Sequence, residues 1–288
     1  MTGARLLESV ARVGPLGVRF WDFAEERFVA DGLIVRVGLA SGGSRITATA
    51  GESGIFTARG LPGLNVIEFG DTAAGYWSTT TTKSYVVEVH DPAGRFLPFS
   101  FPARLPARGL FVWTCALSPP SSGLSDGVPL FSAPSRPAAS MRGVIRAQLQ
   151  DAATGGDAAG AVLVATIAGS ATVTGIADAR GRVAIVMPYP EPSDFPIIGS
   201  SPPVVPVGSS LAAYSWPVTL AAQYGRITPY PPYPDLCTTL RQPGATLLGD
   251  ASGSPLPTQT LRMGVELVVR SVDVATGSAL PVLLVRAP

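Results

Sequence analysis

After residue 13 no stretch of this chain carries apolar residues at i, i+3, i+4 and i+7 through three helical turns. Short runs of Val, Ile, Leu and Thr are instead cut by glycine and proline, which together fill 60 of the 288 positions. Runs this short, at close spacing and with turn residues between them, cannot build a helical core. They fit an all-β chain made of small β-sandwich domains. Only A-R-L-L-E-S-V-A-R-V, residues 4–13, has helical character, and alone it would be marginal.

Turn signals repeat along the chain. L-I-V-R-V-G-L (33–39) followed by I-T-A-T-A-G-E-S-G-I-F-T-A-R-G-L-P (46–62) parallels A-V-L-V-A-T-I (161–167) followed by V-T-G-I-A-D-A-R-G-R-V-A-I-V-M-P (173–188). The alignment sets the turn ending at Gly54 against Asp178-Ala-Arg-Gly181, each glycine supplying the positive φ of the last turn position. Asp178 to Gly181 reads as a hairpin between two apolar strands. A second pair, D-A-A-T-G and D-V-A-T-G, places Asp151, Thr154 and Gly155 beside Asp273 and Gly277 in longer hairpin loops with a left-handed glycine.

These signals divide the chain into an N-terminal segment (1–17), a first β-sandwich domain (18–118), a Pro/Ser-rich linker (119–139), a second β-sandwich domain (140–226) and a C-terminal segment (227–288). The last opens on T-P-Y-P-P-Y-P-D and ends in an expected hairpin over 264–286. Residues 158–177 are uncharged and as long as a membrane span, but their glycines and alternating β-branched residues read as two strands and a turn. No membrane span is expected. The first residues lack an apolar signal core, so synthesis in the cytoplasm without a signal peptide is the expectation, with incorporation into a particle that is retained or released.

Charged residues make up 14% of the chain, against about 25% in an average soluble domain, and mean hydropathy is +0.32. Small β-domains have little core to absorb the excess, so surfaces covered by partner subunits are expected, with a homo-oligomer among them. Basic and acidic residues balance in both halves, 12 to 11 before residue 139 and 9 to 9 from there on. Nothing concentrates positive charge for nucleic acid.

Chemistry has few candidates. His90 is the single histidine, in V-H-D-P-A-G-R, where Asp91 to Gly94 reads as a turn closing a strand. Neither a nucleophile elbow nor a phosphate loop is present, and one histidine with two cysteines 122 residues apart does not form a zinc pattern. No enzyme activity, metal or cofactor is expected, and Cys115 and Cys237 are expected as reduced, partly buried thiols. The proline-stiffened stretches at Tyr189, Phe195, Pro202, Pro203, Tyr230 and Tyr233 are candidate partner-docking loops, free or laid over a neighbouring surface. The region from Phe195 to Gly225 contains no charge.

Residues 140–190, with M-R-G-V-I-R-A-Q-L-Q-D-A-A-T-G, G-A-V-L-V-A-T-I and G-I-A-D-A-R-G-R-V-A-I, resemble the carboxypeptidase regulatory-like domain, a small prealbumin (transthyretin)-like or immunoglobulin-like β-sandwich. In that family Asp151, Thr154, Gly155, Asp178 and Gly181 stand at fold positions, and the module is an accessory one without peptidase activity. More of the chain is similar to accessory proteins with this domain that accompany phage-tail-like contractile injection systems in bacteria. The stretches that carry this likeness are S-Y-V-V-E-V-H-D-P-A-G-R-F-L-P-F-S-F-P-A-R-L-P (84–106), D-A-R-G-R-V-A-I-V-M-P-Y-P-E-P (178–192) and L-R-M-G-V-E-L-V-V-R-S (261–271). The resemblance implies a structural subunit of a sheath–tube–baseplate particle, at the baseplate or a particle end. The alternative is a surface-binding β-sandwich module for carbohydrate or protein, using Trp21, Trp77, Trp113 or Trp216 as exposed contacts.

Overall fold

The alternation in K-S-Y-V-V-E-V-H is that of a strand with one buried face, and Lys83–His90 sends Tyr85, Val87 and Val89 inward. The computed structural model describes residues 14–68, 81–107, 109–115, 127–139, 141–167, 172–190, 214–227 and 231–288. Over these residues the chain is built of β-sheets with two short helical turns, in agreement with the all-β expectation. The N-terminal stretch 4–13 and Trp77 lie outside the described residues.

Elements β1 (Leu16–Val18), β2 (Phe20–Asp22), β3 (Arg27–Phe28), β4 (Ile34–Leu39), β5 (Ile46–Thr47), β6 (Thr49–Ala50) and β7 (Phe56–Ala58) come first. The helical turn α1 (Asn65–Glu68) precedes β8 (Lys83–His90) and β9 (Phe99–Leu105). An antiparallel sheet ordered β5-β4-β8-β9 is faced by the small sheet β1-β7-β6. Between them Phe20, Phe56, Tyr85, Phe101 and Leu105 are almost fully buried. Burial raises the Tyr85 phenol above its ordinary pKa, and its hydroxyl donates to the Pro62 carbonyl at 2.7 Å.

The segment expected as a linker is packed where it is described. β10 (Val128–Leu130) runs parallel to β2, setting Val128 beside Phe20 and Leu130 beside Asp22. Val128, Leu130 and Phe131 are buried in the first core. G-V-P-L-F holds enough apolar surface to dock, and the prolines and serines around it hide that in the composition.

The second unit contains β11 (Arg142–Asp151), β12 (Val162–Ile167), β13 (Thr172–Ile176), β14 (Arg182–Pro188) and β15 (Ser215–Gln223). After α2 (Leu236–Leu240), whose Leu236 and Leu240 pack in the first core, it continues through β16 (Gly244–Leu248), β17 (Gln259–Arg262), β18 (Leu267–Val269) and β19 (Leu283–Arg286). Their sheet runs β13-β12-β15-β16-β19-β11-β14, with β17 added to β15 and β18 to β11. It curls until its two end strands meet, where Gly175 lies so close to β14 that a side chain would strike Val183, Ala184 and Ile185.

Three sequence expectations change here. Asp178 to Gly181 does not close a hairpin, because β13 pairs with β12 while β14 pairs with β11. The turn carries the chain across the sandwich from one layer to the other. The C-terminal hairpin is confined to 271–282, around the turn at Asp273; β18 and β19 lie end to end, both parallel to β11, on Ile145–Ala147 and Leu149–Asp151. The cysteines are not free: Cys115 and Cys237 form a disulfide with Cα atoms 5.4 Å apart. Residues 233–240 fold back onto β9, where Ser100 bonds the carbonyls of Pro234 and Tyr233, and this return brings Cys237 to Cys115.

β12 explains the uncharged run at 158–177. Leu163, Ala165 and Ile167 face the second core, while Val162 and Val164, with Ile176 of β13, face the first. Both faces are buried, so the strand reads as a continuous apolar run. Among the described residues no helix is long and apolar enough to cross a membrane.

Candidate interaction surface

Two turns of identical construction border the junction between the units. In the first, Asp91 Oδ2 accepts the Arg95 N–H at 2.8 Å and its Nε at 3.0 Å, and Gly94 has φ +66°. In the second, Asp178 Oδ1 accepts the N–H groups of Arg180 and Arg182 at 2.9 Å, its Oδ2 takes Arg182 Nη2 at 2.7 Å, and Gly181 has φ +71°. Both follow D-x-x-G-R, with the arginine folded back on the aspartate. Burial pushes the Asp91 carboxyl up, but the bonds and charge of Arg95 outweigh this and hold it below its ordinary value. The sequence alignment paired Asp178 with 51–54, yet that stretch, ending at Gly54 (φ +72°), closes the ordinary hairpin β6–β7. The shared D-x-x-G-R was the signal that finds the structural match.

Asp151 and Asp273 form a second pair of turns. Each carbonyl accepts the N–H of its glycine, Gly155 or Gly277, at 2.8 Å, and each carboxylate accepts the N–H two residues on at 2.8 Å. Thr154 Oγ1 accepts the Gly156 N–H at 3.2 Å. The two differ in surroundings. Asp273 is half-buried, whereas Asp151 is buried and paired with Arg226 at 2.6 Å. The Arg226 bond, ahead of the opposing cost of burial, lowers the Asp151 pKa. Burial and then the Asp151 charge raise the neighbouring Tyr224 phenol.

Where the units meet, Leu97, Pro98, Ala179, Arg180, Pro231 and Pro232 border a cleft of about 320 Å³ with the Asp178–Arg182 pair at its side. Tyr233 stands next to it, its ring edge-on to His90 at 6.5 Å. Tyr189 lies elsewhere, stacked on Trp216 at 5.3 Å, with its hydroxyl accepting the Gly264 N–H at 2.9 Å. Phe195, Pro202, Pro203 and Tyr230 lie outside the described residues.

Charged groups also gather at the junction. Arg136 is buried and forks onto Asp22 at 2.9 and 2.7 Å, with its guanidinium 4.8 Å from the centre of the Phe96 ring. Arg142 reaches Glu25 at 3.7 Å, and Arg146 donates to the carbonyls of Pro134 and Arg136 while pairing with Glu266 at 3.1 Å. The described tryptophans are built into packing: Trp216 is buried between Tyr189 and Tyr214, Trp21 stands edge-on to Phe28, and Trp113 edge-on to Phe101. Among the described residues no cluster of three or more His, Cys, Asp and Glu could hold a metal ion.

The outer surface shows one concentration of exposed apolar residues, Val265 in the turn before β18, Val268 on it, and Val272 and Val274 after it. Among the described residues β18 pairs with β11, and the tight turn that bridges Arg262 to Val265 brings β17 beside it.

No family model matches the chain, and no curated protein does. Among solved structures, the Bacillus anthracis TIE protein aligns over 96% of this chain at 11% identity with a TM-score of 0.23, and the chain spans only 34% of that protein's length. A point variant of the shaft pilin SpaA from Lactobacillus rhamnosus GG aligns over 97% of this chain and 98% of its own at 9% identity, with a TM-score of 0.22. Likeness at this level assigns neither fold nor function.

Proposed function

We propose that this chain is a non-enzymatic structural subunit of a large multiprotein assembly. The observation that carries the proposal is the fastening of its two β-units into one block. β12 serves both cores, Arg142 of β11 reaches Glu25 of the first unit, and the Cys115–Cys237 bond ties α2 to the first unit. A block fastened in this way holds its outer surfaces at fixed separations, as a scaffold component must. The low charge supports surfaces that partners cover.

The finer reading follows the resemblance of residues 84–106, 178–192 and 261–271. It makes the assembly a phage-tail-like contractile injection particle, with this subunit at the baseplate or a particle end, self-associated and in contact with other protein subunits. Synthesis in the cytoplasm precedes incorporation, and the disulfide suits a particle that meets an oxidising environment. Density-gradient purification of particles from the native host, followed by mass spectrometry, tests this. The chain is expected in the fractions holding sheath and tube. Its absence there, with a monodisperse monomer in the soluble pool, would overturn the proposal.

A further inference from the structure

We propose that the cleft between the two units docks a segment of a partner protein in which an aromatic side chain stands beside a carboxylate. This rests on the reading of the chain as an assembly subunit and deepens it by locating one contact. The cleft has apolar walls, made by Leu97, Pro98, Ala179, Pro231 and Pro232. Its volume of about 320 Å³ lies at the small end of the range for ligand clefts, about 300–1,000 Å³. That suits one large side chain and the group next to it.

The walls are in place before anything binds. The Leu97 N–H donates to the Phe131 carbonyl at 3.0 Å, and Asp178 holds its own turn through the N–H groups of Arg180 and Arg182. Just after Pro231 and Pro232, Ser100 bonds the carbonyls of Tyr233 and Pro234 and fixes the chain on β9. The prolines have φ already set, so little freedom is lost when a partner lies against them. In the recognition of proline-rich segments the groove supplies aromatic rings; here the groove supplies the prolines, and the same packing asks for an aromatic occupant.

Arg180 selects the charge of that occupant. Of the three charged residues bordering the cleft, Asp178 and Arg182 neutralise each other through bonds of 2.9 and 2.7 Å. Arg180 is exposed, with its N–H held by Asp178 and its carbonyl by the Gln148 side chain. Its backbone is therefore fixed, while its guanidinium has no hydrogen-bond or ion-pair partner among the described residues. A guanidinium offers a carboxylate two parallel donors and lays its flat face on an aromatic ring. A lysine or arginine brought to the same place would be repelled, so the site also discriminates.

The probe is a doubly capped peptide, acetyl-Gly-Asp-Trp-Gly-amide, titrated into the isotope-labelled full chain and followed by NMR. Amide signals of Leu97 and of Ala179 to Arg182 should shift and saturate, with a dissociation constant of about 1 mM or tighter. Replacing Asp by Asn or Trp by Ala in the peptide should weaken binding about fivefold or more. Arg180→Glu should weaken it about tenfold or more, and Arg180→Lys less, because a point charge neither forks nor stacks. Arg270→Glu, the same charge change at an exposed arginine away from the cleft, should leave binding unchanged. Melting temperatures of the Arg180 variants should match the native chain, since that guanidinium holds nothing within it. In the native host, Arg180→Glu should deplete the chain about tenfold from purified particles. Peptide that leaves the cleft signals unmoved, or binds equally well without its carboxylate or its indole, overturns the docking site. The assembly reading then still stands if the native chain is found with sheath and tube. A chain absent from particles overturns the assembly reading, whatever the peptide does.

Discussion

Gly181 lies against the carbonyl oxygen of Leu149 so closely that a methyl group in place of its hydrogen would overlap that oxygen. The Leu149 N–H in turn donates to the Gly181 carbonyl at 2.7 Å, so backbone groups fix the sandwich crossing to β11. Gly181→Ala should therefore combine a left-handed backbone penalty with a collision that no side-chain motion relieves, and cost about 3 kcal/mol. Gly277→Ala has the same sign of φ but open space around it, and should cost only about 1 kcal/mol. Urea denaturation of the two variants gives the comparison.

Acid should expose the role of Asp151. Its folded pKa lies below the unfolded value, so the stability it contributes is fully present above about pH 4 and is lost as pH falls through the folded pKa. Asp91 adds to the same acid loss. Asp151→Asn should lower stability at pH 7 by about 1–2 kcal/mol, an amount limited by the half-exposed Arg226, and should flatten the fall of Tm between pH 5 and 2. Asp273→Asn, with no arginine on its carboxylate, should change neither by a measurable amount.

Replacing both cysteines with alanine should cost about 3–4 kcal/mol, because the bond closes a loop of 122 residues. The loss should appear as a lower urea midpoint. Reductant should lower the native chain to the midpoint of the double variant and leave the variant itself unmoved.

The two units should melt together. Val164 faces the first core and Leu163 the second from adjacent positions on one strand. Calorimetry of the native chain should show one transition. Leu163→Ala should lower it by about 3 kcal/mol of stability without splitting it. Val164→Asp buries an unpaired carboxylate in the shared layer and should separate the transition into two.

The strands were legible where one face is wet, as in β8, whose alternation marks Tyr85, Val87 and Val89 as core. The aspartate–glycine turns were legible too, since each side chain bonds backbone only a few residues away. What a turn leads to was not. The turns ending at Gly54 and Gly181 share a positive-φ glycine, yet one closes a hairpin and the other crosses between layers, a choice made by β11 and β12, which are distant in sequence. The disulfide was hidden for the same reason. Spacing between Cys115 and Cys237 says nothing until residues 233–240 return to Ser100. Arg226, which fixes Asp151, lies 75 residues from it and belongs to no motif.

The covalent loop also governs how the molecule would respond to being pulled. A load applied on the N-terminal side of Cys115 and the C-terminal side of Cys237 passes through the sulfur atoms and bypasses β10 to β15. Those strands lie on a chain whose ends are 122 positions apart, about 400 Å of extended backbone that tension cannot draw out. Under load the second unit would loosen at β16 to β19, while the strands inside the loop stay slack.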